Sequence, residues 1–165
     1  MVTDSATASS GTFALVMTFV FGLVLEIYPV PEMLQWWRPS WLLLTMIYWV
    51  MALPNRIGIV TAWLVGLILD VSLGNPLGIH GATFAICAYI VFSLNKRLRL
   101  FTLWQQSLFV GLLVGFDLVI SLWVENFIEF RQRGPEYWFP IISSTLIWPL
   151  SFILLRHIRR SFHIR

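Results

Sequence analysis

The sequence is poor in charge. Only 12% of its residues are Asp, Glu, Lys or Arg, against roughly 25% in soluble globular domains, and that deficit excludes an ordinary water-soluble surface. There is one cysteine, Cys87, so an intramolecular disulfide is excluded and the redox compartment stays unread; inside an apolar segment it reads as a packed small hydrophobe. His80, His157 and His163 form no H-x-x-x-H, H-E-x-x-H or Cys/His spacing, so no metal-site signature is present. No basic region precedes the first apolar run, which ends in Leu25-Glu26-Ile27-Tyr28-Pro29 rather than at a small-residue cleavage site. It reads as a retained span, not a signal peptide. Low-complexity tracts, a soluble domain and a convincing internal repeat are also missing.

What the sequence does have is apolar length. Hydrophobic residues make up 58% of it, with nine Trp and thirteen Phe, rings suited to membrane interfaces and to the seams between packed spans. Residues 41–94 are apolar segments broken only by short Pro/Gly punctuation, with the single charges Arg56 and Asp70 set among them. Breakers separate six runs, at residues 12–28, 39–53, 57–73, 78–94, 103–124 and 137–155. Pro29 and Pro31, Pro54-Asn55, Gly74-Asn75-Pro76, residues 95–99 and residues 131–135 mark the turns. The pattern predicts an all-α integral membrane protein of six transmembrane helices. It forms a single domain over residues 1–165, with a polar tail at 1–11 and a basic tail at 156–165.

The second run is short. At 1.5 Å per residue it spans roughly 22 Å, less than the ~30 Å hydrocarbon core, so it needs interfacial anchors or shelter within the bundle. Trp36, Trp37 and Trp41 at one end and Tyr48 and Trp49 near the other are the candidate anchors.

Six spans place both termini on one side. With that side cytoplasmic, Arg56, Lys96, Arg97, Arg99, Arg156, Arg159, Arg160 and Arg165 lie inside, and only Arg38, Arg131 and Arg133 lie outside. This split satisfies the positive-inside rule. The net charge of +3 is therefore a topology signal rather than a nucleic-acid footprint, since no aromatic-interleaved basic groove exists. The tail from Leu154 to His163 alternates cations with apolar residues, as an anchor on anionic lipid does.

Glu26, Asp70 and Asp117 share a depth, roughly 20 Å above the basic side. Such carboxylates must face the bundle and be hydrogen-bonded, paired or protonated. Arg38 is the nearest cation and could fork onto one of them. Gly22 precedes Glu26 by one turn, and Ala62, Gly66, Asp70 and Gly74 fall on one stripe, so each acid shares its face with residues that admit a neighbouring backbone. In the fifth span Asp117, Ser121 and Glu125 form a polar ladder, whereas Gly111 and Gly115 form a GxxxG pair on another face. A proton or cation path would need titratable groups in the inner halves of the spans, and there are none. The acids therefore read as helix-to-helix braces. Ser143-Ser144-Thr145 has no His or Lys at its depth and reads as back-bonding near Pro140 and Pro149, which should both bend the last helix.

Several segments resemble one family. Arg38-Pro39-Ser40-Trp41-Leu42-Leu43, Tyr48-Trp49, Ala52-Leu53-Pro54, Gly66-Leu67-Ile68-Leu69-Asp70 with Gly74 and Leu77-Gly78, and Leu103-Trp104-Gln105-Gln106 resemble the rod shape-determining membrane protein MreD family of Gram-negative bacteria. They match in order and spacing from about Pro29 onward. The resemblance implies an inner-membrane subunit of the cell-elongation machinery that binds the single-span protein MreC directly. Through it the subunit would join the actin-like MreB, the polymerase RodA and its penicillin-binding transpeptidase, in contact with the lipid bilayer, with self-association allowed and no nucleic acid. It also implies a fold similar to the substrate-binding subunits of energy-coupling-factor vitamin transporters. It supplies no catalytic residue and no cofactor.

Enzyme, carrier and scaffold remain to be weighed. An enzyme needs convergent polar groups with a nucleophile or metal, and only the carboxylates offer anything of that kind. A vitamin-like binding subunit of a transporter fits six short spans, but fold likeness is weak evidence for function. A non-enzymatic scaffold fits best. Its structural or partner-binding candidates are Gly22, Glu26, Arg38, Pro39, Gly66, Asp70, Gly74, Gly78, Gly111, Gly115 and Asp117.

Overall fold

A computed structural model describes residues 3–128 and 133–162. Arg131, His163 and Arg165, which the sequence placed in a loop and in the basic tail, lie outside the described residues. Those described residues are helical throughout, with no strand: α1 Thr3–Ile27, the one-turn α2 Glu32–Gln35, α3 Trp41–Ala52, α4 Ile59–Leu73, α5 Ile79–Leu98, α6 Leu103–Ile128, a 3-10 turn Pro135–Trp138 and α7 Phe139–Ser161. Leu103–Phe127 and Pro135–Ser161 are long and apolar enough to cross a membrane, and Gly11–Ile27, Trp41–Ala52 and Ile59–Leu73 are shorter apolar helices.

Helix boundaries follow the breakers, but several helices outrun the apolar runs. α1 begins at Thr3, inside the polar segment, because nothing from Thr3 to Ser10 breaks a helix. α5 continues through Asn95, Lys96 and Arg97, residues expected in a turn, and α7 continues to Ser161 through Arg159 and Arg160. Cations in a final helical turn lie against the negative end of the helix dipole, so these charges prolong the helices. Pro140 lies in the first turn of α7, where its missing N–H costs nothing; only Pro149 is interior. The expectation that both prolines bend α7 is corrected for Pro140.

α3 is the centre of the fold. It has 12 residues, and Leu42 to Met51 are all buried. α1, α5, α6 and α7 pack around it, α4 lies along α5, and α6 lies along α7. Leu43, Met46, Ile47, Trp49 and Val50 are fully inaccessible. A helix hydrophobic all round belongs in such a position, shielded by neighbours from a bilayer it is too short to cross. This overturns Tyr48 and Trp49 as interfacial anchors. Trp49 is 0% exposed, and its Nε1 donates to Thr18 Oγ1 on α1 at 2.8 Å; Tyr48 packs edge-on against Phe152 of α7. Trp36 and Trp37, by contrast, are exposed. Cys87 is buried, as its setting predicted, with Sγ toward the Leu113 carbonyl.

The Trp49–Thr18 bond is a direct tie between α1 and α3. Trp49→Phe should cost about 1 kcal/mol, and Thr18→Val somewhat more because it strands the buried indole N–H. The double variant should cost less than the sum of the singles by equilibrium unfolding in detergent; additive losses would show that the bond contributes nothing.

Candidate functional site

Polar groups concentrate at the end of the bundle away from the chain termini. They are held by helix ends. Asp70, 0% exposed, lies one turn before the end of α4, and the chain reverses through Gly74 and Gly78, both at positive φ (69° and 104°). That reversal brings the start of α5 onto the Asp70 carboxylate. Its Oδ2 accepts from the backbone N–H of Gly78 at 2.9 Å and of Gly81 at 3.2 Å, and its Oδ1 accepts from His80 N at 3.1 Å and meets His80 Nδ1 at 2.8 Å. The carboxylate thus fills the amide-rich, positive start of α5. Gly66, one turn earlier, makes the approach sterically feasible, because a Cβ there would collide with the His80 carbonyl and Gly81. Ala62, Gly66 and Asp70 do form a buried stripe; Gly74 is not on it, since it is exposed and ends the helix in the left-handed conformation.

Glu26 plays a matching part for α3. Its Oε2 accepts the Leu42 amide at 3.2 Å, and the Ser40 amide donates to Ser144 Oγ on α7 at 3.0 Å. Buried Pro39 just upstream has no N–H to satisfy. Gly22 admits α3 closely, a Cβ there meeting Thr45 Oγ1 at 3.1 Å.

The expected Arg38–carboxylate fork is corrected. Arg38 donates to the main-chain carbonyls of Glu26 and Tyr28, closing the C-terminal end of α1, where carbonyls without intrahelical partners gather. The Ser143-Ser144-Thr145 expectation is corrected at one position. Ser143 and Thr145 donate back to the Pro140 and Ile141 carbonyls, but Ser144 accepts from Ser40. Asp117 on α6 accepts from Thr83 Oγ1 on α5. Gly111 and Gly115 face Thr145 and Ile141 of α7, so α6 meets α5 with its acid and α7 with its glycines. Farther along the ladder, Glu125 pairs with Arg133.

Glu26, Arg38, His80 and Asp117 line one cavity of about 170 Å³, walled by Leu43, Phe84 and Leu118. The shared depth of the carboxylates is therefore real for Glu26 and Asp117, with Asp70 one hydrogen bond behind, through His80. Sequence reasoning treated His80 as an isolated histidine, gave Ser144 a back-bonding role and passed over Thr83 and the backbone amides. The usable signal was the short Asp70-to-His80 separation across two glycines. Among the described residues no three His, Cys, Asp or Glu side chains are grouped to hold a metal. The chemistry this arrangement performs is fixing helix ends.

Fold and site define a helical membrane protein braced by internal polar caps. A family model described as rod shape-determining protein MreD matches residues 8–158. The rod shape-determining protein MreD of Haemophilus influenzae (strain Rd) is 38% identical over 152 residues, 90% of this chain and 91% of the relative. No solved structure matches. The chain belongs to the MreD family, a family of membrane proteins with a role in determining rod shape.

Asp70→Leu would strand three amides, of which that of Gly81 is buried and those of Gly78 and His80 are partly so, together with the His80 ring, a loss of roughly 3–5 kcal/mol. Asp70→Asn, which keeps one acceptor oxygen, should be milder, and Gly66→Leu should be as severe as Asp70→Leu. Because Arg38 and Asp70 hold different helix ends, Arg38→Leu and Asp70→Leu should be additive in thermal unfolding in detergent. A double variant no worse than either single would restore a direct pair.

Proposed function

We propose that this chain is a non-enzymatic scaffold of the cell-elongation machinery, a six-span inner-membrane protein with both termini cytoplasmic. In this reading it binds the single transmembrane helix of MreC and, with MreB, RodA and its penicillin-binding transpeptidase, organises lateral peptidoglycan synthesis. The family implies the setting. One observation carries the binding mode: an apolar groove of about 340 Å³ between α1, α3 and α7, lined by residues including Phe13, Met17, Phe21, Leu154 and Phe162. Those five side chains are exposed, so the groove opens sideways to the bilayer, from which a helix can enter.

The same groove weighs against the vitamin-like carrier. Small-molecule sites fix their ligands with a few free polar groups. Here the Thr18 and Thr45 hydroxyls are committed to the Leu15 and Trp41 carbonyls. A ligand with polar functions would leave them unpaired, whereas an apolar helix would not. Were the fold like that of energy-coupling-factor substrate-binding subunits, as the resemblance implies, the likeness would be one of architecture without a shared ligand.

A photocrosslinking residue at Phe21 or Leu154 should capture MreC in native membranes, and one at lipid-facing Leu112, 72% exposed on α6, should not. Equal capture at all three positions would remove the groove, and a co-purified small molecule without MreC would favour the carrier. On a Cys87→Ser background, Ser161→Cys should resist an impermeant thiol reagent added outside intact cells; labelling there would invert the topology.

A further inference from the structure

At the end of the bundle that carries the termini, a second polar cavity of about 230 Å³ is lined by Tyr48, Met51, Arg99, Gln106, Arg156 and Arg159, among others. Its three guanidinium groups come from two places far apart in sequence, the end of α5 and the end of α7, and among the described residues no acidic side chain lines the cavity. Like charges gathered without a counter-charge repel one another, and an anion among them relieves that repulsion.

Two further side chains reach it from the protein interior, each with one unpaired polar atom. Tyr48 is 2% exposed and Gln106 is 5% exposed, yet Tyr48 Oη and Gln106 Oε1 make no hydrogen bond. Buried polar atoms of native proteins are nearly always paired. The rest of the cavity is firmly built. Gln106 Nε2 donates to the Leu98 carbonyl at 2.9 Å. Arg99 Nε donates to Asn95 Oδ1 at 2.9 Å, and its Nη2 donates to the Met51 carbonyl at 2.7 Å. That leaves Arg99 Nη1 free to face a ligand.

From these donors and the one acceptor we propose that the cavity binds a phosphodiester or phosphomonoester that also bears a hydroxyl, the chemistry of a glycerophosphate headgroup. Arg156 and Arg159 fork onto the phosphate oxygens, Arg99 and the Tyr48 hydroxyl donate to them, and Gln106 Oε1 accepts from the glycerol hydroxyl. The volume is several times the ~30 Å³ share of a liquid water molecule, so it can take such a group. A diffuse basic anchor explains the surface cations Arg97 and Arg160; it does not explain two buried, unpaired polar atoms on side chains that line the same cavity as the other three guanidiniums.

The test uses the full chain in phosphatidylcholine nanodiscs. Phosphatidylglycerol is added in one arm and soluble sn-glycerol 3-phosphate in the other, with retained ligand read by native mass spectrometry and the thermal midpoint read in parallel. Phosphatidylglycerol should be retained in preference to phosphatidylcholine and should raise the midpoint. Tyr48→Phe removes only the unpaired hydroxyl, so it should fold as well as the parent in pure phosphatidylcholine and bind phosphatidylglycerol about tenfold more weakly. Arg156→Gln and Arg159→Gln should weaken it by about the same factor, and Arg160→Gln, outside the cavity, by no more than about twofold. Binding in the lipid arm alone assigns the site to the bilayer; competition by glycerol phosphate assigns it to the shared chemistry of both. The proposal is overturned if phosphatidylglycerol shows no preference, if Tyr48→Phe binds like the parent, or if Arg160→Gln costs as much as Arg159→Gln.

Discussion

A helix too short for the membrane that contains it sets the terms for the rest of this structure. α3 has 12 residues, about 18 Å of helix in a hydrocarbon layer of about 30 Å. Wherever water is excluded from the ends of such a helix, each first amide or last carbonyl left without a partner costs several kcal/mol unless the protein supplies one. Partners come from other helices. Glu26 of α1 and Ser144 of α7 take amides at the start of α3, and Arg99 donates to the Met51 carbonyl at its end. The bundle closes around α3 because those caps cannot be supplied from any one side.

The same rule accounts for most intramembrane charge. Asp70 does for α5 what Glu26 does for α3, and Arg38 does the reverse for the end of α1. A carboxylate against helix-start amides and a guanidinium against helix-end carbonyls each find a partial counter-charge without needing one another. Ion pairs are consequently sparse in the interior, although acids and a cation lie at similar depth.

Much of this was legible in the sequence, at the level of helices and stripes. Breakers placed every long helix, the Gly66–Asp70 stripe pointed Asp70 inward, and the shortness of residues 39–53 called for shelter. What failed was partner identity. Arg38 was matched to a carboxylate because side chains advertise charge in a sequence, whereas backbone amides and carbonyls, its real competitors, are invisible there. Tyr48 and Trp49 were placed at an interface because aromatic enrichment is an average over helices that face lipid, and α3 does not face it. Arg99 was counted as one of eight basic-side cations; that it also caps a helix depends on α5 running one turn farther than its apolar run.

The two ends of the bundle consequently have different chemical capacities. At the acidic end the Asp70 and Glu26 carboxylates and the Arg38 guanidinium are spent largely on helix termini, while Asp117 is bonded to Thr83. At the basic end the Arg99, Arg156 and Arg159 charges and the Tyr48 and Gln106 atoms exceed what the helix ends require. Between the ends, the groove along α1 and α7 offers apolar surface and almost no free polarity. On the proposed reading, the scaffold holds a partner helix along its side while one end grips the lipid surface, and the three tasks draw on separate residues. The hydrogen bonds at the acidic end tie the ends of α1, α3 and α5 through residues that line neither of the other two surfaces, apart from Gly22 and Trp41 beside them.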